Sequence, residues 1–253
     1  MTTGFVYDAA RHKRPSVLVF DIETVSNWAN VTPRARKVLI DKWHAAESRK
    51  PIESRGDPKA HPIDGAGLSP WTGMVVSIAM LDPDRGAGRC LFVGGPADAP
   101  TRHGWRFEPY ATERDLLVEF WATMARNPDV RLAGFRSRDF DGVYLHVRSF
   151  VHDVECTIGL VPYRYSTREH ADAYDLLGFW GAGRTPSLDV VCELIGVPTP
   201  KKGLDGSQVQ RAWDAGRISE IASYNADDVV ATAAVVARWE RTIGRVQGER
   251  RKW

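Results

Sequence analysis

The sequence predicts an α/β protein with a mixed central β-sheet flanked by helices. Three observations lead to this prediction. Short β-branched apolar runs alternate with amphipathic helical patterns, three strand-like runs come first, and the longest helical pattern comes last. The chain of 253 residues is 43% hydrophobic and 26% charged, which is typical of a folded protein and excludes general disorder. We expect one domain over residues 1–253, because no internal repeat or composition break divides the sequence.

The first strand and the first helix have clear boundaries in the sequence. Residues 17–22, VLVFDI, are apolar and rich in β-branched and aromatic types, which predicts a buried strand ending at Asp21 or Ile22. A helix is expected over 33–49, because it would begin with a proline and have Thr32 as its N-cap.

Two more strands and a second helix are predicted next. Residues 74–81 and 90–93 are apolar and joined by a turn-like DPDRGAGR segment, so we expect them to form a β-meander with the first strand. The segments 50–70 and 94–111 are rich in proline and glycine and predict loops. Thr112 then caps an amphipathic helix with an aromatic stripe typical of core packing.

The remaining sequence predicts one strand and several helices. Residues 130–135 indicate a strand, a helix is expected to begin near Asp141, and residues 151–180 show no clear pattern. Three further helices are predicted: one capped by Ser187 and ending at Gly196, one capped by Ser207 and ending at Gly216, and one from Ile218 to about Ile243.

Charge and cysteine content narrow the classes of function. The chain has 34 basic and 32 acidic residues, so its overall charge indicates no particular partner. Basic residues concentrate in an insertion at about 28–70 and in a tail at about 241–253; these segments either bind phosphates or are ordinary solvated surface. No apolar run approaches the ~20 residues of a membrane span. Three cysteines without metal-site spacing and the lack of a secretory leader favour the cytoplasm.

Three acidic motifs are candidates for the site of chemistry. Asp21 and Glu23 lie two apart in a strand, so they point to the same side, and two such carboxylates repel each other unless a cation lies between them. Asp141 follows a later strand, where an aspartate is often only a helix cap. Tyr224 and Asp228 lie four apart on one helix face, where a structural hydrogen bond is an equally ordinary interpretation.

The order and context of these motifs resemble the DEDD superfamily of 3′–5′ exonucleases. The YxxxD form at Tyr224 is that of the tyrosine branch, since the histidine branch would have His at the position of Ser223. The stretches SLDVVCELIGVP (187–198), KKGLDGSQV (201–209) and YNADDVVATAAVVAR (224–238) resemble the predicted exonucleases related to the proofreading domain of family B DNA polymerases. The likeness extends from about 17 to 238 and is weak over 28–70.

This resemblance implies an RNase H-like fold and a metal-dependent hydrolase. Two Mg²⁺ or Mn²⁺ ions would act at the site, with Asp21, Glu23 and Asp228 around the first and Asp141 holding the second, to which Asp21 bridges. Tyr224 would orient the attacking water or help to deprotonate it. The expected substrate is the free 3′ end of a single-stranded nucleic acid, with DNA favoured and RNA possible, and the product is a nucleoside 5′-monophosphate.

One departure from the family pattern concerns substrate binding. Relatives usually carry GFNSxxFD in the second motif, whereas residues 134–141 here read GFRSRDFD. Arg136 thus replaces an asparagine that lies close to the strand in relatives, so it either contacts a phosphate or reflects a changed substrate. We expect Arg136, Ser137, Lys201 and Lys202 to contact substrate.

Two alternatives stay open at this point. Asp139 would be a second candidate for the role of Asp141, although the FD register favours Asp141. A catalytically inactive nucleic-acid-binding or complex-forming subunit on the same fold is the second functional hypothesis, and Arg136 with the two basic segments motivates it.

Overall fold

The computed structural model describes residues 17–50, 62–198, 204 and 206–244. Its strands are β1 (Val17–Ser26), β2 (Gly73–Asp82), β3 (Ala87–Val93), β4 (Trp105–Tyr110), β5 (Arg131–Gly134) and β6 (His170–Asp172). Its α-helices are α1 (Pro33–Arg49), α2 (Glu113–Ala125), α3 (Asp141–His152), α4 (Ala173–Leu177), α5 (Leu188–Ile195), α6 (Val209–Asp214) and α7 (Ile218–Trp239).

The six strands form one mixed sheet in the order β4-β3-β2-β1-β5-β6. β2 is antiparallel to both β1 and β3, which confirms the predicted meander. The pairs β3–β4, β1–β5 and β5–β6 are parallel. The predicted α/β class with a mixed sheet flanked by helices is therefore confirmed.

The alternation of side chains along β1 divides the core into two layers. Leu18, Phe20 and Ile22 pack with α2 and α3 on one face of the sheet. Val19 points to the other face, where it packs with the apolar side of α7. Asp21 continues that second face, so the strand period itself directs its carboxylate toward α7.

β1 is longer than the sequence predicts. It continues past Ile22 because β2 pairs with it as far as Ser26, with a bulge between Glu23 and Thr24. On the other side, β5 pairs with β1 only as far as Val19. Asp21 and Glu23 therefore lie within β1, in the part of the strand that is still paired with β2 but no longer paired with β5.

Helix boundaries follow the sequence closely where caps are strong. α1 covers the predicted span, and the Thr32 hydroxyl accepts the Ala35 N–H at 3.3 Å. α5 ends at Gly196, which adopts the left-handed conformation with φ of 68°. α6 differs from its prediction, because Gln208 and not Ser207 is the N-cap.

Two short strands fall in segments where the sequence predicts none. β4 lies in the proposed loop 94–111; it is an edge strand and contains Pro109, which an edge tolerates. β6 has only three residues, of which His170 and Asp172 are polar, so no apolar run marks it. Among the described residues, no helix has both the length and the apolar character needed to cross a membrane.

Candidate active site

The carboxylates of β1 and α7 meet on the helix-covered face of the sheet. One ligand oxygen from each of Asp21, Glu23 and Asp228 lies within 4.8 Å of the other two. Glu23 is buried, and Asp21 and Asp228 are half-buried. Asp228 is at least 205 residues away from Asp21 and Glu23 in the sequence. The side-chain alternation of β1 and the packing of α7 on the sheet bring the three carboxylates together.

Tyr224 belongs to the same cluster. Its hydroxyl forms a hydrogen bond with Asp228, one helical turn further along α7. Asp227 lies on a different part of the helix, where it pairs with Arg102 at 2.8 Å. Of the two adjacent aspartates, the structure therefore places only Asp228 in the site.

Asp141 reaches the cluster from the start of α3. Phe140 is the N-cap of this helix, so the capping interpretation of Asp141 does not apply. Asp141 is only 3% exposed, and its Oδ1 accepts the N–H of Ile22 at 2.9 Å, just beyond the last β1–β5 pair. Asp139 instead is largely exposed and pairs with Arg138 at 3.0 Å, so the geometry favours Asp141 as the fourth carboxylate.

Burial and mutual repulsion make these carboxylates hard to ionise together. Burial is the main cause that raises the pKa of Asp21 and Glu23 well above the usual values, and the neighbouring carboxylates raise it further. Burial also raises the pKa of Asp141 to about 7, although the Ile22 N–H opposes this. The Tyr224 hydroxyl has a raised pKa because of burial and of Asp228 beside it.

The donor set fits a hard divalent cation. Carboxylate oxygens are the ligands that Mg²⁺ and Mn²⁺ prefer, and a cation among them would offset the repulsion that raises their pKa. The residues able to hold such an ion are Asp21, Glu23 and Asp228, with Asp141 close enough to interact electrostatically with Asp21.

A buried amide next to the cluster was not predicted from the sequence. Asn225 is fully buried, and its Nδ2 donates a hydrogen bond of 2.7 Å to Oδ2 of Asp21. The Ser77 hydroxyl donates to Asn225 Oδ1 at 3.0 Å. The only signal in the sequence is that Asn225 follows Tyr224 directly, which places it on the neighbouring side of the helix.

Arg136 lies at the end of β5, close to Asp141 in the chain. It is exposed and has a φ of 60°, in the left-handed region that is uncommon for arginine. Its backbone N–H donates to Asp172 at 2.9 Å, and its guanidinium carbon lies 4.8 Å from the centre of the Tyr174 ring. The charged group is therefore held at the surface against the Tyr174 ring.

Three other predicted substrate contacts have different outcomes. Ser137 is fully buried and forms a 2.8 Å hydrogen bond with Nε2 of His170. The structure does not bring its side chain to the surface, so we leave Ser137 out of the proposed substrate contacts. Lys201 and Lys202 lie outside the described residues.

Comparison with known proteins identifies a family match in the C-terminal part of the chain. Residues 161–252 match a family described as predicted 3′–5′ exonucleases related to the exonuclease domain of PolB. This segment contains Tyr224 and Asp228, whereas Asp21, Glu23 and Asp141 precede it. No curated protein matches the chain.

The fold is also found in solved structures. One match is the family B DNA polymerase from the hyperthermophilic archaeon Pyrobaculum calidifontis, with a TM-score of 0.53 and 22% identity. The match covers 89% of this chain but only 24% of the polymerase, so the chain spans a minor part of that protein's length. The resemblance is therefore confirmed: the chain has the RNase H-like fold of a polymerase exonuclease domain, and its residues 161–252 match the predicted PolB-related 3′–5′ exonucleases.

Proposed function

We propose that this protein is a 3′–5′ exonuclease that hydrolyses the terminal phosphodiester bond of a single-stranded nucleic acid and releases nucleoside 5′-monophosphates. The observation that carries the proposal is the convergence of Asp21, Glu23 and Asp228 oxygens within 4.8 Å of one another. Asp141 and Tyr224 lie beside them. DNA is the favoured substrate, and RNA is the alternative.

The carboxylates would bind divalent cations. Asp21, Glu23 and Asp228 would hold one Mg²⁺ or Mn²⁺ ion, and Asp141 together with Asp21 would hold a second. A bound pair of such ions lowers the pKa of water and neutralises the charge that builds up on the phosphate and the leaving oxygen. This role accounts for four carboxylates in a place where burial and repulsion oppose their ionisation.

Tyr224 acts as an orienting residue in this proposal. Its raised pKa keeps the phenol protonated at neutral pH, so the hydroxyl can donate to the Asp228 carboxylate. The phenol oxygen then has lone pairs free to accept a hydrogen bond from the attacking water. A role of Tyr224 as general base is disfavoured, because its raised pKa keeps the phenol protonated and the phenol proton takes part in the hydrogen bond to Asp228.

The test uses 5′-labelled DNA and RNA oligonucleotides of one sequence, each with Mg²⁺, with Mn²⁺ and with EDTA. We expect a ladder of products shortened from the 3′ end, and only when metal is present. The oligonucleotide that is degraded faster, DNA or RNA, is the preferred substrate. Asp228→Asn is expected to lower the rate by about 10³-fold or more, as the loss of a catalytic group does. Asp227→Asn is the matched control, since this adjacent carboxylate pairs with Arg102.

Two outcomes would contradict the proposal. Equal activity of Asp228→Asn and wild type would show that hydrolysis comes from elsewhere. An uncut label with both metals, on a protein that still binds the oligonucleotide, would favour the alternative of a catalytically inactive nucleic-acid-binding subunit.

A further inference from the structure

Exposed aromatic rings gather at the edge of the sheet next to β6. Tyr163 is 74% exposed, Tyr165 is 50% exposed and Phe179 is 47% exposed. The Tyr165 ring lies 5.6 Å from that of Tyr163 and 5.9 Å from that of Trp180, both in edge-to-face geometry. The rings thus support one another while much of their surface stays accessible.

Basic residues lie close to these rings in the sequence. Arg164, Arg168 and Arg184 are all exposed, whereas Glu169 is the one exposed acidic residue in the described stretch 161–187. The Glu169 carboxylate also accepts a hydrogen bond from the Ser166 hydroxyl. We call the exposed rings and the three arginines the tyrosine–arginine surface. Its charge is complementary to a polyanion.

The turn that carries Phe179 has a defined and unusual backbone. Phe179 and Trp180 both have positive φ, 50° and 55°, which is rare for bulky residues. The Gly178 carbonyl closes the turn by accepting the N–H of Gly181 at 3.0 Å and that of Gly183 at 2.9 Å. Trp180 is thereby half-buried against Tyr165, while Phe179 stays exposed. Backbone outliers of this kind often mark a functional surface.

The tyrosine–arginine surface borders a cleft that includes residues from the segment before Asp141. The cleft is lined by Arg164 of this surface, by the half-buried Trp180 beside Tyr165, and by Arg138 from the segment that leads to Asp141. The backbone N–H groups of Arg136 and Arg138 both donate to the Asp172 carboxylate, each at 2.9 Å. Asp172, which also lines this cleft, thereby contacts the backbone of the segment that leads to Asp141.

We propose that the tyrosine–arginine surface binds the unpaired strand of the substrate on the 5′ side of the nucleotide being removed. Bases would stack on the exposed rings, and the arginines would contact phosphates; aromatic rings among basic residues suit a single strand of any sequence. Bases in a duplex already stack on each other and offer no free face. The inference rests on the proposed function and names the surface that selects an unpaired strand.

Binding in EDTA tests this inference separately from catalysis. We would measure the fluorescence anisotropy of a labelled 12-nucleotide single strand and of a blunt duplex of equal length. The double variant Tyr163→Ala/Tyr165→Ala is expected to bind the single strand about tenfold or more weakly. The double variant Tyr163→Phe/Tyr165→Phe should keep most of the affinity, because the rings remain. Phe150→Ala is the matched control, since Phe150 is 77% exposed on α3, outside the surface.

Some results would overturn the inference. Wild-type affinity of the alanine variant for the single strand would show that the rings do not bind nucleic acid. An equal loss of affinity for the blunt duplex would show that they do not select an unpaired strand.

A second measurement on the wild-type protein avoids any effect of the substitutions on folding. Photo-crosslinking with a 5-iodouracil-containing single strand should modify Tyr163, Tyr165 or Phe179, and crosslinks confined to other regions would overturn the inference. A chain that binds this way but never cleaves would refute the proposed function alone. A chain that cleaves while its alanine variant binds normally would refute the surface alone.

Discussion

The side-chain amide of Asn225 donates a 2.7 Å hydrogen bond to the Asp21 carboxylate. Ser77 donates to the amide oxygen of Asn225, which fixes the amide orientation so that its N–H₂ group faces Asp21. This contact also opposes the rise in the pKa of Asp21 that burial and the other carboxylates cause. Asn225 is therefore placed to orient Asp21 and to favour its charged form, as residues behind metal ligands commonly do.

We predict that Asn225→Ala weakens metal binding without unfolding the protein. Loss of the hydrogen bond leaves Asp21 free to rotate, so the Mg²⁺ concentration for half-maximal rate should rise about 10-fold to 100-fold. Calorimetric titration with Mn²⁺ should show the same shift. A fall in kcat with unchanged metal affinity would contradict the positioning role of Asn225.

Asp228→Asn should stabilise the metal-free protein. Asp228 raises the pKa of both Asp21 and Glu23 through repulsion, so its neutralisation removes part of the repulsion that destabilises the metal-free site. The expected result is a higher melting temperature in EDTA and a smaller stabilisation by Mg²⁺ than in wild type. Asp227→Asn is the control, and an equal shift for both variants would contradict the prediction.

His170 should make the fold sensitive to mild acid. Its Nδ1 donates to the Leu160 carbonyl and its Nε2 accepts from Ser137, so the buried ring is neutral. Burial lowers the pKa of His170 from 6.5 to about 4. As the pH falls through this window, the unfolded chain takes up a proton that the folded protein does not. The free energy of unfolding therefore decreases, by roughly 3 kcal/mol in total for this residue.

Urea denaturation at several pH values between 7 and 4 measures this effect. His170→Gln removes the titrating group, so the difference between wild type and variant isolates His170 from the carboxylates that titrate in the same range. We expect the variant to lose less stability than wild type as the pH falls. Parallel pH profiles would contradict the assignment.

Arg136→Asn should weaken binding of the single strand without lowering the stability of the fold. Asparagine tolerates the left-handed conformation of residue 136, so we expect no loss of stability. If the guanidinium contacts a phosphate, single-strand affinity should fall, and the slope of log Kd against log salt concentration should decrease by about 0.7. An unchanged slope with reduced affinity would indicate a base contact in place of the phosphate contact.

Local signals explain which parts of the fold could be predicted. α1, α2 and α5 begin or end at strong caps, and the apolar period of α7 spans six turns, so neighbouring residues suffice to predict them. The spacing of Asp21 and Glu23 on a strand and of Tyr224 and Asp228 on a helix likewise predicts which side chains point together.

The remaining features depend on contacts between distant segments. β4 and β6 are strands because they pair with β3 and β5, and β1 extends to Ser26 because β2 continues beside it. Such pairing gives no local apolar signal at an edge or in a strand of three residues.

The sequence by itself determined the fold class, the family likeness and the order of the acidic motifs, because these depend on residue type and local period. The tertiary structure decided that Asn225 supports Asp21, that Ser137 is buried against His170, and that Tyr163 and Tyr165 stand exposed beside Trp180. Burial and hydrogen bonding between segments far apart in the chain follow from packing, which no short window of sequence contains.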